Sequence, residues 1–260
     1  MKKVKKKRWR LKKWVVILFA VVCISALLYS SINLIIRQIS LNKNNKLKKE
    51  LENQVSVVKE EKKDEATGEI IELEKYVVNF DELKLKNPDT VGYLKIRNSN
   101  INYVIVKTNN NEYYLKHNFN KEYSSAGWIF ADYRNKFDGT DRNIIIYGHS
   151  MKDESMFGSM YKLFDYDWLN DKENLDIVFN TPNGDMIYRI FSMYRIEAED
   201  YYITTDFNSD GEFEKFINNL KNRSSRNLGV DVSSSDQIIT LSTCTSDLNK
   251  RIVIHAKRIS

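Results

Sequence analysis

The residues best suited to covalent chemistry in this 260-residue sequence are few: two cysteines, Cys23 and Cys244, and three histidines, His117, His149 and His255. Cys244 lies in QIITLSTCTSDLNKRIVIHAK, residues 237–257. There, two runs rich in β-branched residues, Gln237 to Thr243 and Arg251 to Ala256, flank a polar, turn-forming segment, which is the pattern of paired strands. The pairing puts a thiol at the mouth of one strand and a guanidinium at the start of the next. A neighbouring cation favours thiolate over thiol, as a nucleophile requires. The same residues also suit a buried, inert cysteine. His149 closes the run NIIIYGH, with Gly148 before it and Ser150 after it, so its imidazole is expected at a strand mouth too. His255 falls inside the last strand, about 13 Å from Arg251 at 3.3 Å per residue, too far for joint chemistry. His117 falls in the loop-rich YYLKHNF. Both are read as surface or satisfied core histidines.

The elements that must position these groups are mostly strands. Val91 to Ile96, Tyr103 to Lys107, Gly127 to Asp132, Asn143 to His149, Asp176 to Asn180 and Met186 to Ile196 are rich in Ile, Val, Tyr and Phe and are separated by turns of Asn, Asp and Gly. With the two C-terminal runs they make about eight. Two helices are expected among them, over Met156 to Asn170 and over Glu212 to Asn222, where Phe213, Phe216, Ile217 and Leu220 share a face. Many strands, few helices and no βαβ alternation imply a mainly β, closed or sandwich-like domain with helical insertions.

Charge is distributed unevenly. Residues 2–13 carry nine basic side chains and no acid; taking those nine from the 41 basic residues leaves 32 against 35 acidic ones. The net charge of +6 thus belongs to a tail, and nucleic-acid binding by the rest loses its support. Trp14 to Ile36 is a charge-free run of 23 residues, long enough as a helix to cross the roughly 30 Å hydrocarbon core of a bilayer. It reads as an uncleaved anchor; the competing signal-peptide reading has only Ser25-Ala26 for a cleavage site. The positive-inside bias puts residues 1–13 in the cytoplasm and everything beyond Arg37 outside. Cys244 is then the one thiol of the outer part, with no partner for an intrachain disulfide, and a lone thiol in an oxidising space points to function. Leu47, Leu51, Val55 and Val58 form one stripe in the polar stretch 40–75, so a stalk helix is expected within residues 37–79, ending near Thr67 and Gly68. The outer domain is expected over 80–260.

YGH at 147–149, TLSTC at 240–244 and KRIVIHAK from 250 together resemble the sortase family, Gram-positive cell-surface transpeptidases. NPDTVGYLKI, NNEYYLKHNF, GWIFADYRN and YYITTDF resemble class B sortases in particular. The resemblance covers roughly residues 80–258. It implies a closed sortase-type barrel with His149, Cys244 and Arg251 as catalytic residues and with substrate contacts at Asn111, Leu115, Tyr202, Ile203 and Ser242. The loop between Cys244 and Arg251 is short, and an acid that often follows the nucleophile is matched only by Asp247 in a shifted register, so no catalytic role is assigned to it.

The resemblance further implies that Cys244 attacks the threonine carbonyl of a C-terminal sorting signal of the NPxTx or xPxTG type. His149 would protonate the leaving amine, and Arg251 would hold the oxyanion. The acyl group then passes to a cell-wall or pilin amine. At ordinary pKa values roughly 3% of cysteines are thiolate and 25% of histidines imidazolium at pH 7, so under about 1% of molecules carry both if the two titrate independently; tethering enzyme and substrate to one membrane offsets a modest rate. No cofactor is implied, and three scattered histidines with one outer cysteine give no metal-ligand spacing, although a calcium site from acidic loops stays open. Two other readings use the same residues: a membrane-anchored cysteine protease that passes the acyl group to water, and a non-catalytic surface-binding module.

Overall fold

The computed structural model describes residues 12–63, 70–197, 199–244 and 250–260. Eight strands close into a barrel: β3 (Thr90–Ile96), β4 (Asn102–Val106), β5 (Phe130–Ala131), β6 (Asn143–His149), β7 (Asp176–Thr181), β8 (Gly184–Glu197), β9 (Ile238–Cys244) and β10 (Lys250–Arg258). Round the barrel the order is β10-β8-β7-β3-β4-β5-β6-β9. Neighbours are antiparallel except β4 with β5 and β6 with β9, which run parallel. Within the barrel every strand has a neighbour on both sides, although β5 joins β4 and β6 through Phe130 and Ala131 alone. The interior is filled by alternate residues of these strands, among them Leu94, Ile105, Ile146, Phe179, Ile190, Leu241 and Ile254, all inaccessible to solvent.

Outside the barrel, α4 (Asp210–Arg223) lays Phe213, Ile217 and Leu220 on a second cluster with Phe191, Tyr194, Tyr202 and Val253. Ser209 caps it by accepting from the Glu212 N–H at 3.2 Å. The other expected helix is broken. Ser150 pairs with Met156 in an isolated bridge that closes a turn, and Glu154 (φ +65) and Met156 (φ +53) lie in the left-handed region, where a right-handed helix cannot start. A 3-10 turn over Gly158–Phe164 and a short α3 (Tyr166–Asn170) replace one continuous helix. Gly158 packs so tightly that a Cβ would lie 2.2 Å from the Met151 carbonyl oxygen. The expected strand Gly127 to Asp132 is regular only at β5, because Gly127 (φ +58) turns the chain just before it.

The stalk reading needs correction. α1 (Lys13–Glu52) is a single helix that includes the whole apolar stretch and then packs Leu41, Asn44, Leu47 and Leu51 on the barrel. It stops at Glu52. Val55 and Val58 belong to β1 (Val55–Lys63), which forms an antiparallel hairpin with β2 (Ile70–Val78). The reason is local: VSVV and IIELEKYVV are β-branched runs whose alternation fits a half-exposed ribbon better than a helix. Thr67 and Gly68, the expected end of the stalk helix, lie outside the described residues. The hairpin is fixed to the barrel by Tyr76, which packs on Tyr93 and Val178 and accepts at its carbonyl from Asn180 Nδ2 at 2.8 Å. Next, α2 (Phe80–Lys86) is capped by Asn79.

Along Trp14 to Ile36 the large apolar side chains are uncovered by protein, and α1 is long and apolar enough to cross a membrane. Lipid is the solvent that matches such a surface.

Candidate active site

Three neighbouring strands bring the sequence-predicted catalytic positions into one row. Parallel pairing of β6 with β9 sets His149 opposite Cys244, and antiparallel pairing of β9 with β10 sets Cys244 opposite Arg251. With strands about 4.8 Å apart, the backbones of His149 and Arg251 stand roughly 10 Å from each other with position 244 midway. All three lie at the same rim of the barrel. Asp247 falls outside the described residues.

His149 is half-buried, and its Nε2 is 2.8 Å from the Leu115 carbonyl oxygen. A carbonyl can only accept, so Nε2 carries the proton, and Nδ1 is the nitrogen left to exchange one when the ring is neutral. Two glycines make this geometry accessible. A Cβ on Gly148 would meet Ile129 Cδ1 at 2.4 Å, so the residue beside His149 has to be small. A Cβ on Gly127 would lie 2.3 Å from the Tyr114 carbonyl oxygen and 2.8 Å from that of Leu115. Gly127 therefore presses directly on the backbone that holds the imidazole.

Beside the row lies a cleft of about 280 Å³ whose walls include Asn111, Leu115, Tyr202, Ile203 and Ser242, the five expected substrate contacts, together with Arg251. Tyr202 Oη and Ser242 Oγ share a hydrogen bond of 3.0 Å. A larger hollow, about 720 Å³, opens between the hairpin and β3 and is lined by Glu52, Lys95 and Arg97 among others. None of the expected site residues lines it, so volume alone does not locate the chemistry.

Sequence reasoning missed the group that ties this cleft together. Asp132 is fully buried yet accepts from Asn111 Nδ2 at 2.9 Å, Tyr147 Oη at 2.8 Å and Arg134 Nε at 2.8 Å and Nη2 at 2.7 Å. Arg134 Nη2 also donates to the Ile203 carbonyl at 2.8 Å. One carboxylate thus reaches three cleft residues, Asn111, Tyr147 and, through Arg134, Ile203. Burial pushes its pKa up, but the Arg134 hydrogen bonds, the Tyr147 hydroxyl and the guanidinium charge outweigh that and hold it below the usual carboxylate value. Burial, then the Asp132 charge, raises the Tyr147 hydroxyl well above an ordinary phenol. The available signal was an aspartate ending an apolar run with an arginine two residues later.

The remaining histidines fall where a structural role puts them. His117 donates from Nδ1 to the Tyr113 carbonyl at 2.7 Å and stacks on that ring at 4.1 Å. His255 is inaccessible to solvent. Its Nε2 accepts from Tyr194 Oη at 2.8 Å, and its Nδ1–H donates to Thr240 Oγ1 at 2.9 Å. Thr240 passes a hydrogen bond to Asn143 Oδ1, whose amide donates to the Thr204 carbonyl; Tyr201 Oη donates to Tyr194 at the other end. The chain of donors has one consistent direction and holds the 201–204 segment at both ends. Burial lowers the His255 pKa to about 3.

Comparison with known proteins agrees with this geometry. The sortase domain family matches residues 94–259. Sortase B of Listeria monocytogenes is 40% identical over 182 residues, covering 69% of this chain and 73% of its own length. The crystal structure of sortase B from Bacillus anthracis in complex with AAEK1 superposes with a TM-score of 0.72 at 33% identity, over 85% of this chain and 99% of the other. A Staphylococcus aureus sortase B–substrate complex does so with a TM-score of 0.65 at 34% identity, over 70% and 84%. With a closed barrel of the same kind and a histidine, a cysteine and an arginine in register at its rim, this chain belongs to the sortase family as a class B member, a cysteine transpeptidase.

Proposed function

We propose that this sortase cleaves a C-terminal sorting motif of the NPxTx or xPxTG type after its threonine, through a thioester on Cys244, and transfers the carboxyl-terminal acyl group to a cell-wall or pilin amine. The row His149–Cys244–Arg251 across β6, β9 and β10 carries this reading. Cys244 supplies the nucleophile, and its sulfur forms the bond to the threonine carbonyl carbon as the C–N bond breaks. His149, its Nε2–H directed to Leu115, exchanges the proton through Nδ1, first to the leaving amine and later from the incoming one. Arg251 offers its guanidinium donors to the developing oxyanion. A thioester suits transfer because an amine attacks it faster than water does.

The cleft beside the row would take the motif, with Asn111 and Ser242 as hydrogen-bonding walls and Leu115, Tyr202 and Ile203 as apolar ones. The substrate complex solved for the S. aureus relative supports a peptide site in this fold. The apolar half of α1 would anchor the enzyme, residues 1–13 cytoplasmic and the domain of residues 80–260 outside, so that enzyme and substrate share one leaflet.

The test is a panel of sorting peptides given to the full chain with and without an added amine. A new amide product that disappears in Cys244→Ala, with a loss of at least about a thousandfold, is the expected result. Hydrolysis product alone at saturating amine would reduce the enzyme to a protease, and turnover by Cys244→Ala would remove the thiol from the mechanism.

A further inference from the structure

The anchor does not pass into the barrel through a linker. α1 runs unbroken from Lys13 to Glu52, and its buried positions begin at Leu41. Just there Ser40 Oγ donates to Ser124 Oγ at 3.1 Å, and Asn44 Nδ2 donates to Ser124 Oγ at 2.9 Å and to the Gly127 carbonyl at 3.2 Å. Ser40 stands four residues past Ile36, where the charge-free stretch ends, which is about 6 Å of helix rise. The headgroup layer on each side of a bilayer is about 5 to 7 Å deep. A surface clamped to the helix at Ser40 is therefore held at headgroup height.

The clamped surface is the turn of residues 116–125, KHNFNKEYSS. It is stiff. His117 and Tyr123 pair as a β-bridge, the Asn118 N–H donates to the Glu122 carbonyl at 2.8 Å, and the Ser124 N–H donates to the Lys116 carbonyl at 2.9 Å. The turn leaves Tyr123 71% exposed, with Lys116 and Lys121 also on the surface. Around it Lys43, Lys116 and Lys121 stand against Glu122, which Lys43 neutralises at 2.6 Å, and Asp89, which Lys121 reaches at 2.9 Å, and Arg37 lies about one helical turn before Ser40 on α1. An exposed tyrosine among surplus cations suits the bilayer interface, where the ring sits among glycerol esters and ammonium groups meet phosphates.

We propose that the 116–125 turn is a membrane-surface contact, resting Tyr123, Lys116 and Lys121 on the phosphate layer of the leaflet from which α1 emerges. This rests on the reading of Trp14 to Ile36 as the bilayer span. Leu115, whose carbonyl orients His149, immediately precedes the turn, so the lipid contact is continuous with the wall of the active site.

The test uses the full chain carrying Cys23→Ser and Cys244→Ala in nanodiscs of phosphatidylcholine and phosphatidylglycerol. A nitroxide is attached after Ser25→Cys, Ser125→Cys or Lys49→Cys, one at a time. The label at 125 is expected to be shielded several-fold from a water-soluble nickel chelate relative to the label at 49. Adding Lys116→Glu, Lys121→Glu and Tyr123→Ser, which leave the Ser40 and Asn44 clamp in place, should raise its accessibility toward the level at 49 without reaching it. A label at 25 in hydrocarbon with a label at 125 as accessible as that at 49 overturns the surface contact and leaves the anchor intact. A label at 25 open to the chelate overturns both.

Discussion

His149 and His255 lie on strands that flank the same β9, and they show how position alone divides one residue type into two roles. His149 ends its strand at the barrel rim, half-buried, with one nitrogen fixed by a carbonyl that can only accept. His255 sits deeper on β10, with both nitrogens committed to hydroxyls and no solvent access. Desolvation penalises the charged ring, so the inner histidine stays neutral down to a pKa of about 3. Proton traffic needs a nitrogen that can change state, and fold rigidity needs one that does not.

The sharpest way to break this contrast is to remove each ring in turn. His149→Gln should lower kcat/KM by about 10²–10⁴-fold, the usual worth of a general acid–base group, with a melting temperature close to wild type. A variant that keeps its rate would move proton transfer elsewhere.

His255→Gln should do the reverse: activity at neutral pH within a few-fold, but stability lower by about 2–3 kcal/mol from buried hydroxyls left without partners. The pH dependence separates the two further. The folded-state pKa of His255, about 3, lies below the unfolded value of about 6.5. The unfolded chain therefore binds the extra proton as pH falls, and stability is lost progressively between those two values, by up to about 5 kcal/mol. Denaturant unfolding followed from pH 7 to 4 should show a steep acid limb in the wild type and a flatter one in His255→Gln. Equal slopes would contradict the buried neutral ring.

The smallest of these effects concerns the cleft. Asp132→Asn removes the charge that collects Asn111, Tyr147 and Arg134, and should raise KM for a sorting peptide about tenfold, the scale of one or two charge-assisted hydrogen bonds. The turnover number should change little, because Asp132 touches none of the reacting positions. A fall in kcat at constant KM would place its influence on the catalytic row instead.

Much of this architecture was legible because the barrel strands are long β-branched runs with clear turns between them, and because the catalytic positions sit at strand ends, where sequence signals are strongest. The parallel register that puts His149 beside Cys244 was not, since nothing in NIIIYGH or IITLSTC specifies which strand it pairs with. Asp132 was hidden inside an apolar segment, its meaning dependent on Asn111 and Ile203 from distant loops. The hairpin β1–β2 was misread because Leu47 and Leu51, real helix contacts, continue by coincidence of spacing into Val55 and Val58. Helical period and β-branched content conflicted there, and β-branching prevailed.

The parallel pairing of β6 with β9 carries a consequence in time. Adjacent parallel strands cannot be joined by a tight turn, so the polypeptide must complete β7, β8 and α4 before Cys244 can take its place next to His149. Contacts so far apart along the chain are slow to form, because loop closure precedes any gain from pairing. The reactive pair is therefore among the last contacts to assemble during maturation, and a half-finished molecule holds its thiol and its imidazole on separate pieces.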